Sequence, residues 1–165
     1  GGGGKTLAMA ARARLTLVAH DASPARMRDL TARAARAGAQ VTLSDAPEAL
    51  APFDLILADA PCSGSGSWRR DPQGKWALTP ERLAKIGAVQ EAILDRLAPM
   101  LAPNGVLAYA TCSLLRVENE DRIDAFLRRN PAWRVLDQQR FTPLDGGDGF
   151  FLARLTQSQS QPTQP

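Results

Sequence analysis

Histidine and cysteine are scarce in this chain: one histidine and two cysteines occur among its 165 residues. His20, Cys62 and Cys112 lack the spacing of zinc ligands, which argues against a structural metal site. Two cysteines without a sign of secretion read as cytosolic thiols, not as a disulfide scaffold. No stretch approaches the ~18 uninterrupted apolar residues of a membrane-spanning helix. The glycine-rich opening is also unlike a basic-then-apolar leader. A cytoplasmic protein without a membrane partner is therefore expected. Lysine is rare too. Lys5, Lys75 and Lys85 are the lysines, so arginine carries nearly all the basic charge behind a net charge of +3 and a pI of about 9.3. Arginine suits phosphate contacts, but an Ala- and Arg-rich composition also follows from GC-rich coding. Charge permits a nucleic-acid partner without requiring one.

What is present suits one folded domain. Hydrophobic residues make up 44% of the chain, enough for a core at this length. The chain has no initiator Met and opens inside a glycine run that ought to follow a strand. It is expected to be a catalytic domain over residues 1–156, incomplete at its N-terminus. The last nine residues, QSQSQPTQP (157–165), have no apolar anchor and are expected to form a disordered tail.

Strand and helix patterns alternate along the chain. Residues 5–14 read as a helix, 15–20 as a buried strand, and 23–37 as a helix opened by Ser23 and Pro24 and stopped by Gly38. Short apolar runs at 41–43, 53–58 and 106–111 read as further strands. A long amphipathic helix is expected from the Thr79–Pro80 cap to about residue 101, with a turn at Asn104 and Gly105. Another helix is expected over 117–129, acidic at its start with Glu118, Glu120 and Asp121 and basic at its end, as the helix dipole favours. Residues 133–136 and 150–155 close the pattern as strands. The alternation predicts a three-layer α/β sheet, mostly parallel. Ligands of such sheets bind beyond the carboxyl ends of the strands. There stand Asp21, Asp45, the segment 59–62, and Thr111–Cys112–Ser113, so the chemically loaded residues fall on one edge.

The opening Gly1, Gly2, Gly3, Gly4, Lys5 and Thr6 make a glycine-rich turn into a helix. It suits a phosphate chain or the carboxylate of S-adenosylmethionine, or else is a plain flexible terminus. Asp21 follows its strand directly, where an acid commonly accepts ribose hydroxyls. Asp45 ends the next strand and suits an adenine amino group. A turn role is the alternative for each acid. Asp59–Ala60–Pro61–Cys62–Ser63–Gly64 is more specific, joining a carboxylate, a rigid proline and a thiol at one strand end. Cys62 reads as a nucleophile or a buried structural thiol, and Asp59 as a partner for a base ring nitrogen. If the two strands are neighbours, Cys62 and Cys112 face one cleft. The loop with Trp68, Arg69, Arg70, Asp71, Lys75 and Trp76 mixes cations and aromatics. It suits RNA contact, or simple packing of the two tryptophans over the sheet.

Gly-Gly-Lys-Thr, Asp-Ala-Pro-Cys-Ser-Gly, Thr-Cys-Ser followed by Glu118, Asn119 and Glu120, and Gly149–Phe150–Phe151 together resemble the Sun-type RNA cytosine-5 methyltransferases. The similarity spans about residues 1–155. It implies a Rossmann-like fold that uses S-adenosylmethionine, mostly parallel, with helices on both faces and the first strand missing from this chain. It also implies that Cys112 attacks carbon 6 of the target cytosine so that carbon 5 takes the methyl group. Cys62 then helps release the product, and Asp59 stabilises the ring nitrogen. Carried over residue by residue, Gly1, Gly2, Gly3, Gly4, Lys5, Asp21, Asp45 and Asp59 contact the cofactor. Ribosomal RNA is the first implied substrate and transfer RNA the second. Where the family has Ala-Pro before Gly-Gly-Lys, this chain has Gly1 and Gly2, a looser loop.

Three other readings compete. Gly-Lys-Thr with the strand ending at Asp59 resembles parts of a P-loop nucleoside triphosphatase, which leaves both cysteine motifs unexplained. In a DNA cytosine methyltransferase, Cys62 would attack, but Thr-Cys-Ser argues against it. A non-catalytic RNA-binding module would not need both cysteines and Asp59, yet it stays an alternative for a chain whose glycine loop lacks its preceding strand and so its hold on the cofactor.

Overall fold

A computed structural model describes residues 2–158. Contacts divide the chain into two compact units, 1–51 and 52–165. In the first, helix α1 (Gly4–Ala10) precedes strand β1 (Leu17–Ala19), helix α2 (Leu30–Arg36) and strand β2 (Val41–Leu43). β1 and β2 pair in parallel, with Ala19 opposite Leu43. Ala19, Met27 and Leu30 form the small core, with Leu7 and Val41 packed on it. The helix expected from Ser23 is broken into a 3-10 turn, Pro24–Met27, and α2. The Ser23 side chain makes no cap. Its backbone N–H instead donates to the Asp21 carboxylate at 2.8 Å, an Asx-type turn that competes with helix geometry. Gly38, at φ 64°, stops α2 as expected.

The second unit contains strand β3 (Phe53–Asp59), helices α3 (Pro72–Trp76) and α4 (Pro80–Leu97), strand β4 (Leu101–Thr111), helix α5 (Glu120–Arg129), and strands β5 (Trp133–Phe141) and β6 (Phe150–Gln157). The sheet order is β3-β4-β6-β5. β3 and β4 are parallel, and β6 is antiparallel to both β4 and β5. Three strands therefore share one direction and β6 alone runs back. The reason lies in the connection: residues 142–149 are fewer than the dozen or more that a parallel crossover needs. The last strand includes Gln157, which the sequence had placed in the tail; the remainder of that tail, 159–165, lies outside the described residues.

The core sits between this sheet and the two long helices. Leu107 and Tyr109 of β4 and Phe151 and Leu155 of β6 meet Leu94 of α4 and Ile123 and Phe126 of α5. All seven are fully buried, each stabilising by roughly 1.5–3 kcal/mol if apolar. Ala108 and Ala110 on the other face of β4 are buried as well, as a central strand requires. The expected Thr79 cap is present: its hydroxyl accepts from the Arg82 N–H at 3.2 Å. Asn104, at φ 65°, turns the chain inside β4, and the register jumps from Phe53–Leu101 to Leu55–Val106. Asparagine tolerates that left-handed geometry.

Candidate active site

β3 and β4 lie side by side with Asp59 opposite Ala110. The Ala60 N–H continues the pairing to the Ala110 carbonyl at 2.9 Å. The chain then leaves both strands at the same edge, and each carries a cysteine within three residues. The Cys62 and Cys112 sulfurs lie 3.4 Å apart, a thiol–sulfur hydrogen bond. Both residues are half-buried and neither is disulfide-bonded. The hydrogen bond to Cys112, with burial, pushes the Cys62 thiol far above its ordinary range. Burial beside a second thiol therefore disfavours ionisation of Cys62, and either sulfur can donate in the bond between them. Asp59, the last residue of β3, is exposed at the same edge.

Glu118 ties the two cysteine segments together. It is 1% exposed, and its carboxylate accepts from the Ser63 N–H at 2.7 Å, the Ser63 hydroxyl at 2.5 Å and the Ser113 hydroxyl at 2.5 Å. Gln90 of α4 is fully buried. Its Nε2 donates to the Pro61 carbonyl at 2.9 Å and lies 3.5 Å from Glu118 Oε1. Asn119 accepts from the Thr111 hydroxyl at 2.6 Å and donates to the Ser113 carbonyl at 2.8 Å. The Tyr109 hydroxyl donates to the Glu118 carbonyl at 2.7 Å. These bonds explain why α5 starts later than expected. Glu118 lies in a 3-10 turn, Arg116–Glu118, and Asn119 leaves helical geometry at φ −114°, ψ −101°. Glu120 and Asp121 in the first turn, with Arg128 and Arg129 in the last, keep the dipole pattern. Glu118 does not serve it, because its charge is turned inward to four donors.

The loop after Cys62 is pinned by backbone. The Gly66 N–H donates to the Cys112 carbonyl at 2.9 Å, and the Gly149 N–H donates to the Gly66 carbonyl at 2.8 Å. The two tryptophans part company. Trp68 is half-buried with its Nε1 enclosed, whereas Trp76 is 82% exposed and Lys75 Nζ lies 5.4 Å from its ring centre. Arg70 and Arg69 pair with Asp148, and the Arg70 hydrogen bond holds that carboxyl below its usual range. These arginines thus also clip the loop to the segment before β6.

In the first unit, Ala19 and Leu43 are opposite each other, and Asp21 and Asp45 each follow two residues beyond the ends of their strands. Asp45 is exposed and Asp21 half-buried. Gly3, at φ 80°, opens α1 in the left-handed region that favours glycine, and a Cβ there would lie 2.2 Å from Leu30 Cδ1, so that side chain would have to shift. Gly2 and Gly4 flank it, Lys5 is exposed, and Gly1 lies outside the described residues.

The sequence matches the family described as 16S rRNA methyltransferase RsmB/F over residues 1–156. The chain belongs to this family. Ribosomal RNA small subunit methyltransferase B of Photorhabdus laumondii is 45% identical over 112 residues, covering 63% of this chain and 26% of that protein. Its counterpart in Salmonella newport is 44% identical over 111 residues, again covering 26% of that protein. The chain thus spans about a quarter of the length of these relatives. Among solved structures, NSun6 from Pyrococcus horikoshii with SFG matches at a TM-score of 0.78 and 26% identity, covering 96% of this chain and 46% of that one. A methyltransferase homologue from the same organism matches at 0.72 and 26%, covering 87% and 53%. The fold is the Rossmann-like fold of S-adenosylmethionine-dependent methyltransferases, and family membership displaces the P-loop reading.

Sequence reasoning singled out both cysteines and Asp59 but not Gln90. The available signal was a polar residue inside the apolar stripe of α4, between Ile86 and Leu94. Asn119 entered through the resemblance alone and Glu118 also as an acid at a helix start, and their burial between the cysteine segments is a finding of the structure.

Proposed function

We propose that this chain carries the catalytic site of an S-adenosylmethionine-dependent ribosomal RNA cytosine-5 methyltransferase with Cys112 as nucleophile. The pair of sulfurs 3.4 Å apart at the carboxyl edge of β3 and β4 supports this reading most strongly. Cys62, held protonated, donates to Cys112 and favours its thiolate, the nucleophilic form. The Cys112 sulfur bonds to carbon 6 of the cytosine, and the electron pair of the 5,6 double bond makes carbon 5 nucleophilic. Water supplies the proton that the ring nitrogen takes up, and the Asp59 carboxylate accepts a hydrogen bond from that N–H. S-adenosylmethionine, when bound, supplies the methyl group. Water then takes the carbon 5 proton and the ring nitrogen returns its own to water, which restores the double bond and expels the Cys112 thiolate, to which the Cys62 S–H donates.

The chemistry of the first unit fits the cofactor. Asp21 and Asp45, each just beyond one of two paired parallel strands, present carboxylates to the hydroxyl and amino donors of a nucleoside. Gly1, Gly2, Gly3, Gly4 and Lys5 hold its amino-acid end. For RNA, exposed Trp76 with Lys75 offers a stacking face and a phosphate partner. The target base leaves its stack to reach the thiols.

The test is methyl transfer by the full-length protein to 16S ribosomal RNA, read by bisulfite sequencing. New 5-methylcytosine with wild type and none with Cys112→Ala supports the assignment. Methylation retained by Cys112→Ala, or placed on another base atom, contradicts it.

A further inference from the structure

The cysteine pair depends on two loops that leave different strands; beyond the cysteines the Gly66 N–H joins them at the Cys112 carbonyl and the Ser65 hydroxyl accepts from the Leu114 N–H at 2.8 Å, while the residues next to the thiols, Ser63 and Ser113, meet on one side chain. The Cys62 loop presents Ser63 N–H and hydroxyl, and the Cys112 loop presents the Ser113 hydroxyl. Gln90, which also holds the Pro61 carbonyl just before Cys62, adds a donor from α4. All these donors converge on one carboxylate that is 1% exposed. An ionised carboxylate is acceptor-only and has about four lone-pair sites, which matches this set. Burying a charge is costly unless it is so satisfied, and a buried charge fully satisfied by donors from three segments resists displacement of any one of them.

We propose that Glu118 is a positioning residue that holds Cys62 against Cys112. It touches neither sulfur and no substrate atom. It acts by fixing Ser63 and Ser113, each adjacent in sequence to one cysteine. The isosteric substitution Glu118→Gln keeps most of this arrangement: its amide oxygen in the place of Oε1 still accepts from the Ser63 N–H, and its amide nitrogen in the place of Oε2 donates to the two serine hydroxyls, which rotate to accept. Glu118→Ala orphans all these donors, and the Ser63 N–H has no alternative role. The two loops are then free to separate, and a shift of about 1 Å at a reacting pair costs on the order of 100-fold in rate. The negative charge also helps to keep the nearby Cys62 protonated.

The proposal rests on the roles given to the two cysteines above only for its catalytic consequence, so the first readout is independent of RNA. Full-length protein is treated with dibromobimane, which fluoresces strongly once it bridges two adjacent thiols. Glu118→Ala is expected to slow bridging about tenfold, with wild-type S-adenosylmethionine affinity and an unchanged far-ultraviolet spectrum, whereas Glu118→Gln rescues most of the rate. In turnover Glu118→Ala is expected to lower kcat with little change in KM for RNA, and to accumulate the covalent RNA adduct because Cys62 no longer meets the departing sulfur. Wild-type bridging by Glu118→Ala overturns the proposal. If Glu118→Ala fails to fold, Ser63→Ala decides: it removes one hydroxyl donor and leaves the carboxylate and backbone donor in place. Bridging about threefold slower is expected of it, and a wild-type rate overturns the proposal. Cys112→Ala that still methylates RNA would remove the assigned cysteine roles, yet it would leave the bridging result standing.

Discussion

Replacing Gly66 with alanine puts a methyl carbon 2.1 Å from the Gly149 carbonyl oxygen, 2.6 Å from its carbon and 2.8 Å from its Cα. All three are backbone atoms, so no side chain can swing aside. Reaching ordinary contact requires the two stretches of chain to separate by about 1 Å, an overpacking cost of about 1–3 kcal/mol. The same separation stretches the Gly149 N–H to Gly66 carbonyl bond and strains the Gly66 N–H to Cys112 carbonyl bond. Each is worth about 0.5–1.5 kcal/mol net, and more if a buried partner is orphaned. The sum is about 2–6 kcal/mol, a large share of a typical domain stability of about 5–15 kcal/mol. Gly147 is the internal control, because a Cβ there meets nothing within 4 Å. Gly147→Ala is expected to stay within about 0.5 kcal/mol of wild type. Urea unfolding followed by circular dichroism reads both. A Gly66→Ala protein as stable as Gly147→Ala would refute the backbone contact as described.

Further expectations follow from the core, the thiols and the surface loop. Phe126 is fully buried and meets Trp133 edge-on with ring centres 5.3 Å apart, so Phe126→Ala should cost about 3–5 kcal/mol in urea unfolding, and a loss below about 1 kcal/mol would contradict the packing. The Cys62 thiol is pushed up in the fold by its bond to Cys112 and by burial, while an unfolded thiol ionises near pH ~8.5. Below that pH both states hold the proton; above it only the unfolded chain loses it, so stability should fall as pH rises past ~8.5. Cys62→Ala should flatten that decline, and an unchanged slope would count against the thiol as its source. Buried Tyr109, also pushed up, extends the decline above pH ~10. Trp76→Ala should weaken RNA binding about tenfold in a filter assay, as loss of one stacked base implies, and unchanged affinity would remove Trp76 from the interface.

Much of the fold and half of the site were legible before any coordinates. β3 and the core of β4 are legible because LILA (55–58) and VLAYA (106–110) are short apolar runs, and each is followed within a few residues by a cysteine. The direction of β6 was not legible, since Phe150–Gln157 reads the same in either sense and only the short connection decides it. The break before α5 was hidden for a different reason. Glu118 at a helix start looks like a dipole partner, and nothing local in sequence shows that Ser63 and Ser113 will draw it inward. Gln90 shows the same limit: its partners, Pro61 and Glu118, are distant along the chain and meet it only through the sheet. Arg69 and Arg70 read as phosphate ligands, yet Asp148, far away in sequence, engages both.

The central claim is the division of labour between the two thiols, and trapping of a covalent protein–RNA adduct tests it most directly. Full-length Cys62→Ala and Cys112→Ala proteins are mixed with ribosomal RNA and S-adenosylmethionine and run on denaturing gels. Adduct that accumulates with Cys62→Ala and is absent with Cys112→Ala is the predicted result. The reverse pattern would make Cys62 the nucleophile and contradict the account.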